Sequence, residues 1–254
     1  MFLTDTHTHL YSSQFDNDRD EMMQRAQDSG VRMMLLPNVD QESVEGMHAL
    51  EDAYPNVVRS MMGLHPCSVG DDWQMVVEDL FAWLDRRKYV AIGEIGIDLY
   101  WRKDNLDQQI AAFLWQVDQA QRRSLPVVIH SRESTHVILD VLGAQTLAGV
   151  FHCFSGSLEE AKRIIDRGMY LGFVGVVTYK NADKLRSVVQ QVDRSRIVME
   201  TDSPYLSPVP YRGQRSESAR IIEVARVVAE CWSISTDEAA EICTRNAPTL
   251  FFDE

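Results

Sequence analysis

Short apolar segments alternate with longer segments of helical period along the whole 254-residue sequence. The predicted strands cover residues 2–6, 32–37, 57–64, 89–94, 126–130, 149–152, 169–174 and 197–200. The predicted helices lie near 17–29, 41–53, 74–87, 106–123, 134–143, 158–167, 181–191 and 215–231, with a further helical segment at 236–252. This alternation predicts parallel strands joined by crossover helices, and eight such units favour a closed barrel over an open doubly wound sheet.

The length of the sequence suits one such barrel. A (β/α)₈ barrel typically needs about 250 residues, and no repeat, low-complexity tract or Gly-, Pro- or Ser-rich linker divides this chain. We therefore expect an α/β fold with a single TIM-type barrel domain over residues 1–254 and an extra C-terminal helical segment.

The termini and cysteines bear on location. The sequence begins MFLTDTHTHL, without the basic and long apolar regions of a signal peptide. No apolar run approaches the roughly 18 residues of a membrane span. The cysteines, at positions 67, 153, 231 and 243, form no CxxC pair, which favours reduced thiols. We expect a cytoplasmic protein with no membrane association.

The formal net charge of −13 argues against extensive nucleic-acid binding, because phosphate contacts need clustered Lys and Arg. It does not exclude an enzyme that binds one or two phosphates. Charges farther away than a Debye length of about 8 Å are largely screened at physiological salt, so the local charge of a site matters more.

Polar residues of metal-binding type follow the predicted strands. His7 and His9 come after the first strand, and residues two apart in an extended segment share a face. The others are Glu94, His130, His152 and Asp202, at or just after strands 4, 5, 6 and 8. The carboxyl ends of barrel strands meet at one rim. The six side chains are therefore predicted to share a pocket.

Each of these residues has an alternative interpretation. A lone histidine at a strand end is often a satisfied surface residue, and Asp202 before Ser-Pro could be a helix N-cap. Six residues of metal-binding types at the same end of their strands instead favour a metal site. Imidazoles suit Zn²⁺, Mn²⁺, Fe²⁺ or Ni²⁺, and carboxylates extend the choice to Mg²⁺. Glu94, on a central strand, could bridge two ions, so we expect two divalent ions that activate water for hydrolysis.

Several motifs resemble those of the TatD family of metal-dependent deoxyribonucleases, within the amidohydrolase-like metallohydrolases. They are TDTHTHL at 4–10, GLHP at 63–66, IGEIGID at 92–98, PVVIHSRES at 126–134, FHCFSGS at 151–157, GFVGVVTYKNA at 172–182, METDSPYL at 199–206, PVPYRG at 208–213 and TRNAPTLF at 244–251. One such motif alone is weak, but together and in this order they are specific and span the chain.

The resemblance implies roles for individual residues. One ion would be held by His7, His9 and Asp202 and the other by His130 and His152, with Glu94 shared between them. The implied catalytic residues are Asp202 as general base, Glu94 and His65. For His65 two interpretations stay open, a contact with substrate phosphate and a structural histidine in a tight loop before Pro66. Glu200 could either support the site or simply close strand 8.

The resemblance also implies a reaction, the Mg²⁺-dependent hydrolysis of phosphodiester bonds from the 3′ end of DNA. Loop cations that could contact phosphates are Arg132, Lys180, Arg212 and Arg215, and Tyr205, Tyr211 and Trp101 could stack on unpaired bases. Solvated cations and packed aromatic rings are the alternatives. The expected substrates are DNA ends or short oligonucleotides. No obligate protein partner is evident, and we expect a monomer.

Two other functions stay open from sequence. The same metal site could hydrolyse a carboxylic ester or amide, including an aminoacyl-tRNA ester, because a barrel does not determine its chemistry. A non-enzymatic protein with a structural metal site is disfavoured, because structural sites are usually closed and often use thiolates.

Overall fold

The computed structural model describes residues 2–252, in which strands and helices alternate. The strands are β1 (Leu3–Asp5), β2 (Val31–Pro37), β3 (Val58–Met61), β4 (Ile92–Asp98), β5 (Val127–Arg132), β6 (Gly149–Phe151), β7 (Tyr170–Phe173) and β8 (Ile197–Met199). The helices are α1 (Arg19–Asp28), α2 (Ser43–Ala53), α3 (Trp73–Phe81), α4 (Leu106–Arg123), α5 (Thr135–Leu142), α6 (Leu158–Ile165), α7 (Asp183–Gln191), α8 (Ile221–Trp232) and α9 (Thr236–Phe251).

The strands form a closed parallel barrel in sequence order. Strands β1 to β3 pair with one another, as do β4 to β8, and every pair is parallel. A parallel bridge between Met62 and Ile92 joins β3 to β4. The backbone N–H of Thr6 donates to the Met199 carbonyl at 3.2 Å, which joins β8 to β1. The predicted (β/α)₈ barrel is confirmed.

The predicted limits of β4 and β5 were wrong. β4 continues to Asp98, so Glu94 lies within the strand, and β5 continues two residues beyond His130. Gly96 and Asp98 interrupt the apolar pattern of this segment, yet both pair with β5. Gly96 has φ +147°, and a Cβ there would collide with the His130 carbonyl oxygen, so glycine permits the close approach.

Helix α8 also starts later than predicted, at Ile221 instead of 215. The polar residues before it belong to the long loop after β8. One of them, Arg215, is held there by a two-pronged ion pair with Asp18, whose Nη–Oδ distances are both 2.7 Å. A tertiary contact, which helical periodicity does not reveal, therefore determines where the loop ends.

An apolar cluster fills the amino-terminal end of the barrel. This amino-end cluster consists of Leu35, Met61, Ala91, Val128, Val150, Tyr170 and Val198 from the strands or their edges, with Ala247, Leu250 and Phe251 from α9. The Asn246 amide donates to the carbonyls of Arg194 and Ile197, at 2.8 and 2.7 Å, which fixes α9 against the start of β8. The predicted C-terminal helical segment is thus confirmed as the element that closes this end.

Across residues 2–252, none of the helices combines the length and the apolarity that crossing a bilayer requires.

Candidate metal centre

Glu94 lies at the centre of the predicted ligands, at the carboxyl end of the barrel. Its Oε2 is 3.2 Å from His7 Nε2 and 3.8 Å from His9 Nε2. Its Oε1 is 2.8 Å from His130 Nδ1 and 3.1 Å from His152 Nε2. The two oxygens of one carboxylate therefore face two different pairs of histidines. This is the arrangement expected of a carboxylate shared between two ions. We call His7 and His9 the first histidine group, and His130 and His152 the second.

Asp202 completes the first of these groups. Its Oδ1 is 3.4 Å from His9 Nε2 and 3.9 Å from His7 Nε2, and one ligand atom from each of the three residues lies within 4.8 Å of the others. Asp202 has φ +54°, and its backbone N–H donates to the His7 carbonyl at 2.9 Å. The residues after it form turns, so Asp202 does not cap a helix.

The environment of His7 suits a metal ligand. The residue is fully buried, and neither ring nitrogen has a hydrogen-bond partner among the residues that the structure describes. The 3.2 Å approach of Nε2 to Glu94 lacks hydrogen-bond geometry. Burying unsatisfied polar atoms is costly, by about 1–3 kcal/mol each. A divalent ion on Nε2 would supply a partner, and the surrounding imidazoles and carboxylates are suitable additional ligands.

A hydrogen bond orients the His9 ring. The Tyr11 hydroxyl donates to the Pro37 carbonyl at 2.6 Å, so it accepts from His9 Nδ1 at 2.9 Å. The proton of neutral His9 then resides on Nδ1, and the Nε2 lone pair faces Asp202 and Glu94. Fixing the tautomer from behind in this way is typical of metal-ligating histidines.

Asp98 has the same role for His130. His130 Nε2 lies 2.9 Å from Asp98 Oδ2, which leaves Nδ1 free to face Glu94. Asp98 Oδ1 accepts hydrogen bonds from the backbone N–H groups of Tyr100 and Trp101. Burial alone would raise the pKa of Asp98, but these donors, His130 foremost, lower it to about 2. Asp98 is therefore a permanent anion behind His130.

Glu200 lies behind His152. Its Oε2 accepts from the Cys153 backbone N–H at 3.0 Å and is 3.4 Å from His152 Nδ1. Glu200 is fully buried, so its carboxylate contacts the back of the imidazole instead of only ending β8.

Asp5 positions the loop that carries Asp202. Its Oδ1 accepts from the Thr201 backbone N–H at 2.9 Å, and its Oδ2 accepts from the hydroxyls of Thr201 and Ser218, both at 2.6 Å. Asp5, Tyr11 and Asp98 were not among the residues predicted from the sequence. Their signal was a polar residue inside or beside an apolar strand, close in sequence to a predicted ligand.

His65 lies next to the second group. Its Nε2 is 3.2 Å from His130 Nδ1 and 3.5 Å from Glu94 Oε1, and its Nδ1 accepts from the Cys67 backbone N–H at 3.1 Å. Burial lowers the pKa of His65, which favours the neutral ring. With Nδ1 occupied as an acceptor, the proton resides on Nε2. His65 therefore presents a hydrogen-bond donor at the centre, which suits a substrate contact better than a metal ligand.

The charges of the cluster depend on one another. Burial would raise the pKa of Glu94, but nearby imidazoles, with His152 foremost, hold it well below its usual range. Burial likewise opposes protonation of His152, but the Glu94 and Glu200 carboxylates raise the pKa of His152 well above its usual value. In the absence of ions, protons therefore compensate the carboxylates. Metal binding must displace those protons, so metal affinity decreases as the pH falls.

The predicted phosphate contacts occupy different surroundings. The Arg132 guanidinium carbon lies 4.0 Å from the Tyr100 ring centroid, and that of Arg212 lies 4.6 Å from the Tyr179 centroid. Lys180 is exposed in the turn that precedes α7. These three positions stay predictions as substrate contacts.

The remaining candidates divide into engaged and exposed side chains. Arg215 is occupied by its ion pair with Asp18, and the Tyr211 ring is covered by Arg220. Tyr205 is 53% exposed, and its ring lies 6.2 Å from that of His9. Trp101 is 64% exposed. Of the three predicted aromatic contacts, Tyr205 and Trp101 are therefore open to a ligand.

Comparisons with known proteins point to a single family. The TatD related DNase family model matches residues 4–252. The metal-dependent hydrolase YabD of Bacillus subtilis is 36% identical in an alignment 256 residues long that covers 98% of each chain. The crystal structure of YjjV, a TatD homologue from Escherichia coli, has a TM-score of 0.92 at 32% identity, covering 98% of this chain and 97% of its own. A TatD family hydrolase from Entamoeba histolytica shares the fold, with a TM-score of 0.90 at 21% identity and coverage of 100% and 99%.

The family match spans the barrel from β1 to α9 and includes every residue of the histidine and carboxylate cluster. The full-length relatives share that extent and are metal-dependent hydrolases by name. The chain therefore belongs to the TatD family and is a metal-dependent hydrolase.

Proposed function

We propose that this hydrolase is a deoxyribonuclease that removes nucleotides from the 3′ end of single-stranded or frayed DNA. The observation that carries the proposal is the division of the Glu94 carboxylate between two histidine groups. Such a site suits two divalent ions, and paired ions are typical of phosphodiester hydrolysis. The family model, described as TatD related DNase, supports the choice of substrate.

The proposed ligands form two sets. His7, His9 and Asp202, which lie close to one another, would hold one ion. His130 and His152, which both lie near Glu94 Oε1, would hold the other, and Glu94 would be shared. When bound, the ions would polarise the phosphoryl oxygens and lower the pKa of water. Mg²⁺ is the proposed ion for turnover, while the histidines would also hold Zn²⁺, Mn²⁺, Fe²⁺ or Ni²⁺.

The protein's own groups would handle protons and orientation. Asp202 is an anion at neutral pH because, although burial opposes it, the nearby imidazoles, with His9 foremost, lower the pKa of Asp202. It can accept the proton of the attacking water at a carboxylate oxygen. The Nε2–H group of His65, beside Glu94, would donate a hydrogen bond to a phosphoryl oxygen of the substrate and stabilise charge that develops there.

The test uses protein stripped with a chelator and then supplied with Mg²⁺, Mn²⁺ or Zn²⁺ separately. The substrates are single-stranded DNA labelled at the 5′ or the 3′ end. Asp202→Asn removes the proposed base. Asp237→Asn is the matched control, because Asp237 is an exposed aspartate in the first turn of α9, at the opposite end of the barrel. We expect stepwise shortening of the 5′-labelled strand with wild type and the control, and none with Asp202→Asn.

Other results would redirect the proposal. Release of label from the 5′ end first would reverse the polarity, and internal cuts would replace an exonuclease with an endonuclease. Intact DNA with every ion would overturn the deoxyribonuclease. The substrate would then be sought among carboxylic esters and amides, including aminoacyl-tRNA esters, with the same stripped and reloaded protein.

A further inference from the structure

Two exposed aromatic rings and an arginine lie together beside the second histidine group. Tyr100 and Trp101, in the loop after β4, are 50% and 64% exposed, and their ring centroids are 4.8 Å apart at an interplanar angle of 89°. The Arg132 guanidinium carbon is 4.0 Å from the Tyr100 centroid and 5.5 Å from that of Trp101. We call these three residues the aromatic–arginine cluster.

Backbone pairing fixes this cluster relative to the metal centre. Arg132 is two residues after His130 on β5, so both side chains leave the same face of the strand. Asp98 pairs with Arg132 across β4 and β5, and the Leu99 N–H donates to the Arg132 carbonyl at 2.9 Å. The cluster therefore lies directly beyond His130 at the carboxyl rim.

The Asp98 carboxylate ties the loop to the same histidine. One oxygen accepts from the backbone N–H groups of Tyr100 and Trp101, at 2.9 and 2.7 Å, and the other lies 2.9 Å from His130 Nε2. A single buried side chain thus sets the positions of both aromatic residues and of a predicted ligand. The backbone that carries the two exposed rings is therefore held in place.

Arg132 is oriented by rings alone. Within residues 2–252, its guanidinium has no hydrogen bond or ion pair with another residue, and its contacts are the two π faces. Stacking on an aromatic ring leaves the N–H groups at the edge of the guanidinium free to bind a phosphate in a fixed orientation. An arginine that is both ordered and unpaired suits an anion next to the metal centre.

We propose that the aromatic–arginine cluster is a nucleotide subsite, in which Trp101 stacks on an unpaired base and Arg132 binds a phosphate adjacent to the one that is hydrolysed. This inference rests on the proposed function and specifies its substrate. A base that lies on Trp101 must leave the helical stack, so the subsite selects single-stranded or frayed ends. Stacking tolerates any base, because each base has a π face.

The chain contains a matched control at the opposite end of the barrel. Phe2, just before β1, is 63% exposed, and the Arg32 guanidinium carbon lies 5.5 Å from its ring centroid. Phe2→Ala and Arg32→Gln therefore remove a comparable aromatic–arginine pair far from the metal centre. The test variants are Trp101→Ala, Trp101→Phe and Arg132→Gln.

Two measurements on metal-loaded protein separate binding from chemistry. The first is fluorescence anisotropy of a labelled single-stranded oligonucleotide with nuclease-resistant phosphorothioate linkages, recorded over a range of salt. The second is kcat/KM for methyl p-nitrophenyl phosphate, a diester with no base. We expect Trp101→Ala to weaken oligonucleotide binding about tenfold, with partial recovery in Trp101→Phe. Arg132→Gln should reduce the slope of log Kd against log salt by about one phosphate contact.

The kcat/KM for the small diester should not change in the Trp101 and Arg132 variants. The controls Phe2→Ala and Arg32→Gln should bind the oligonucleotide like wild type. Unchanged oligonucleotide affinity in the Trp101 and Arg132 variants would overturn the subsite, while cleavage by wild type would leave the proposed function standing. Equal losses on both substrates would also overturn it, because they would mean that the loop acts only by holding His130. Wild type that binds the oligonucleotide through Trp101 but never cleaves DNA would contradict the proposed function alone. Wild type that binds no oligonucleotide would contradict both.

Discussion

The two ends of the barrel are built from opposite kinds of residue. At the amino end, one apolar side chain from each of several strands packs against Ala247, Leu250 and Phe251 of α9. At the carboxyl end, buried histidines and carboxylates occupy the corresponding space, and neither ring nitrogen of His7 has a hydrogen-bond partner among the described residues. Apolar burial stabilises the fold, whereas buried unpaired polar atoms cost stability. The amino end therefore stabilises the barrel, and the carboxyl end carries the candidate metal centre.

The largest effect should come from the residue shared by both histidine groups. Glu94→Gln removes the charge of that carboxylate, so we expect kcat/KM to fall by about 1000-fold or more. Metal content measured by mass spectrometry should fall with it. Glu241→Gln, an exposed change on α9, is the control. Full metal content and activity in Glu94→Gln would remove the central argument for a shared carboxylate.

The converse change at the amino end should affect stability alone. Leu250 is buried in the amino-end cluster, and Leu250→Ala should lower the free energy of unfolding by about 3 kcal/mol. Urea denaturation measures this loss. At temperatures where the variant is folded, kcat/KM should stay within about twofold of wild type, because distant sites are nearly independent. A large loss of activity in the folded variant would contradict the division between the two ends.

An intermediate effect on metal binding is expected for Asp98, which lies behind the predicted ligand His130. Asp98→Asn keeps an oxygen that can accept from His130 but removes the charge, so divalent-ion affinity should weaken by about 10- to 100-fold. Titration calorimetry of the stripped protein measures this change. Asp104→Asn, in the same loop and with a side chain that is 78% exposed, should bind ions like wild type. Equal affinities for Asp98→Asn and Asp104→Asn would show that the charge behind His130 does not matter.

The smallest effect is expected on the free energy of unfolding, from a change of Asp18 near the rim at the carboxyl end. Asp18 pairs with Arg215 and Arg25, and these contacts, Arg215 first, lower its pKa below the ordinary 3.8. A depressed carboxyl pKa stabilises the folded state at neutral pH, and this contribution is lost as the pH falls below that value. Asp18→Asn should therefore cost about 1 kcal/mol at pH 7.

Urea denaturation at pH 7 and at pH 3 tests the sign of this prediction. The difference between wild type and Asp18→Asn should shrink at the lower pH. Asp118→Asn, which breaks a single ion pair with Arg122 within α4, should have a smaller effect at pH 7. A difference that grows on acidification would contradict the assigned pKa direction.

The sequence alone determined the order of elements and the identity of the candidate ligands. Periodicity reports local burial, so the alternating segments predicted the barrel and the helix α9 without any tertiary information. Placing His7, His9, Glu94, His130, His152 and Asp202 at one rim needed only the rule that parallel strands present their carboxyl ends together. The motif resemblance named the family, which the family model over residues 4–252 confirms.

The tertiary structure decided what depends on contacts between distant parts of the chain. β4 extends to Asp98 because β5 pairs with it, although its apolar pattern stops earlier. Asp5, Tyr11 and Asp98 act on the loop of Asp202, on His9 and on His130 through hydrogen bonds that sequence spacing does not encode. The division of Glu94 between two groups and the stacking of Arg132 on Tyr100 are likewise matters of side-chain direction. Local patterns report which residues are buried, whereas the partner of each buried group is determined only when the barrel closes.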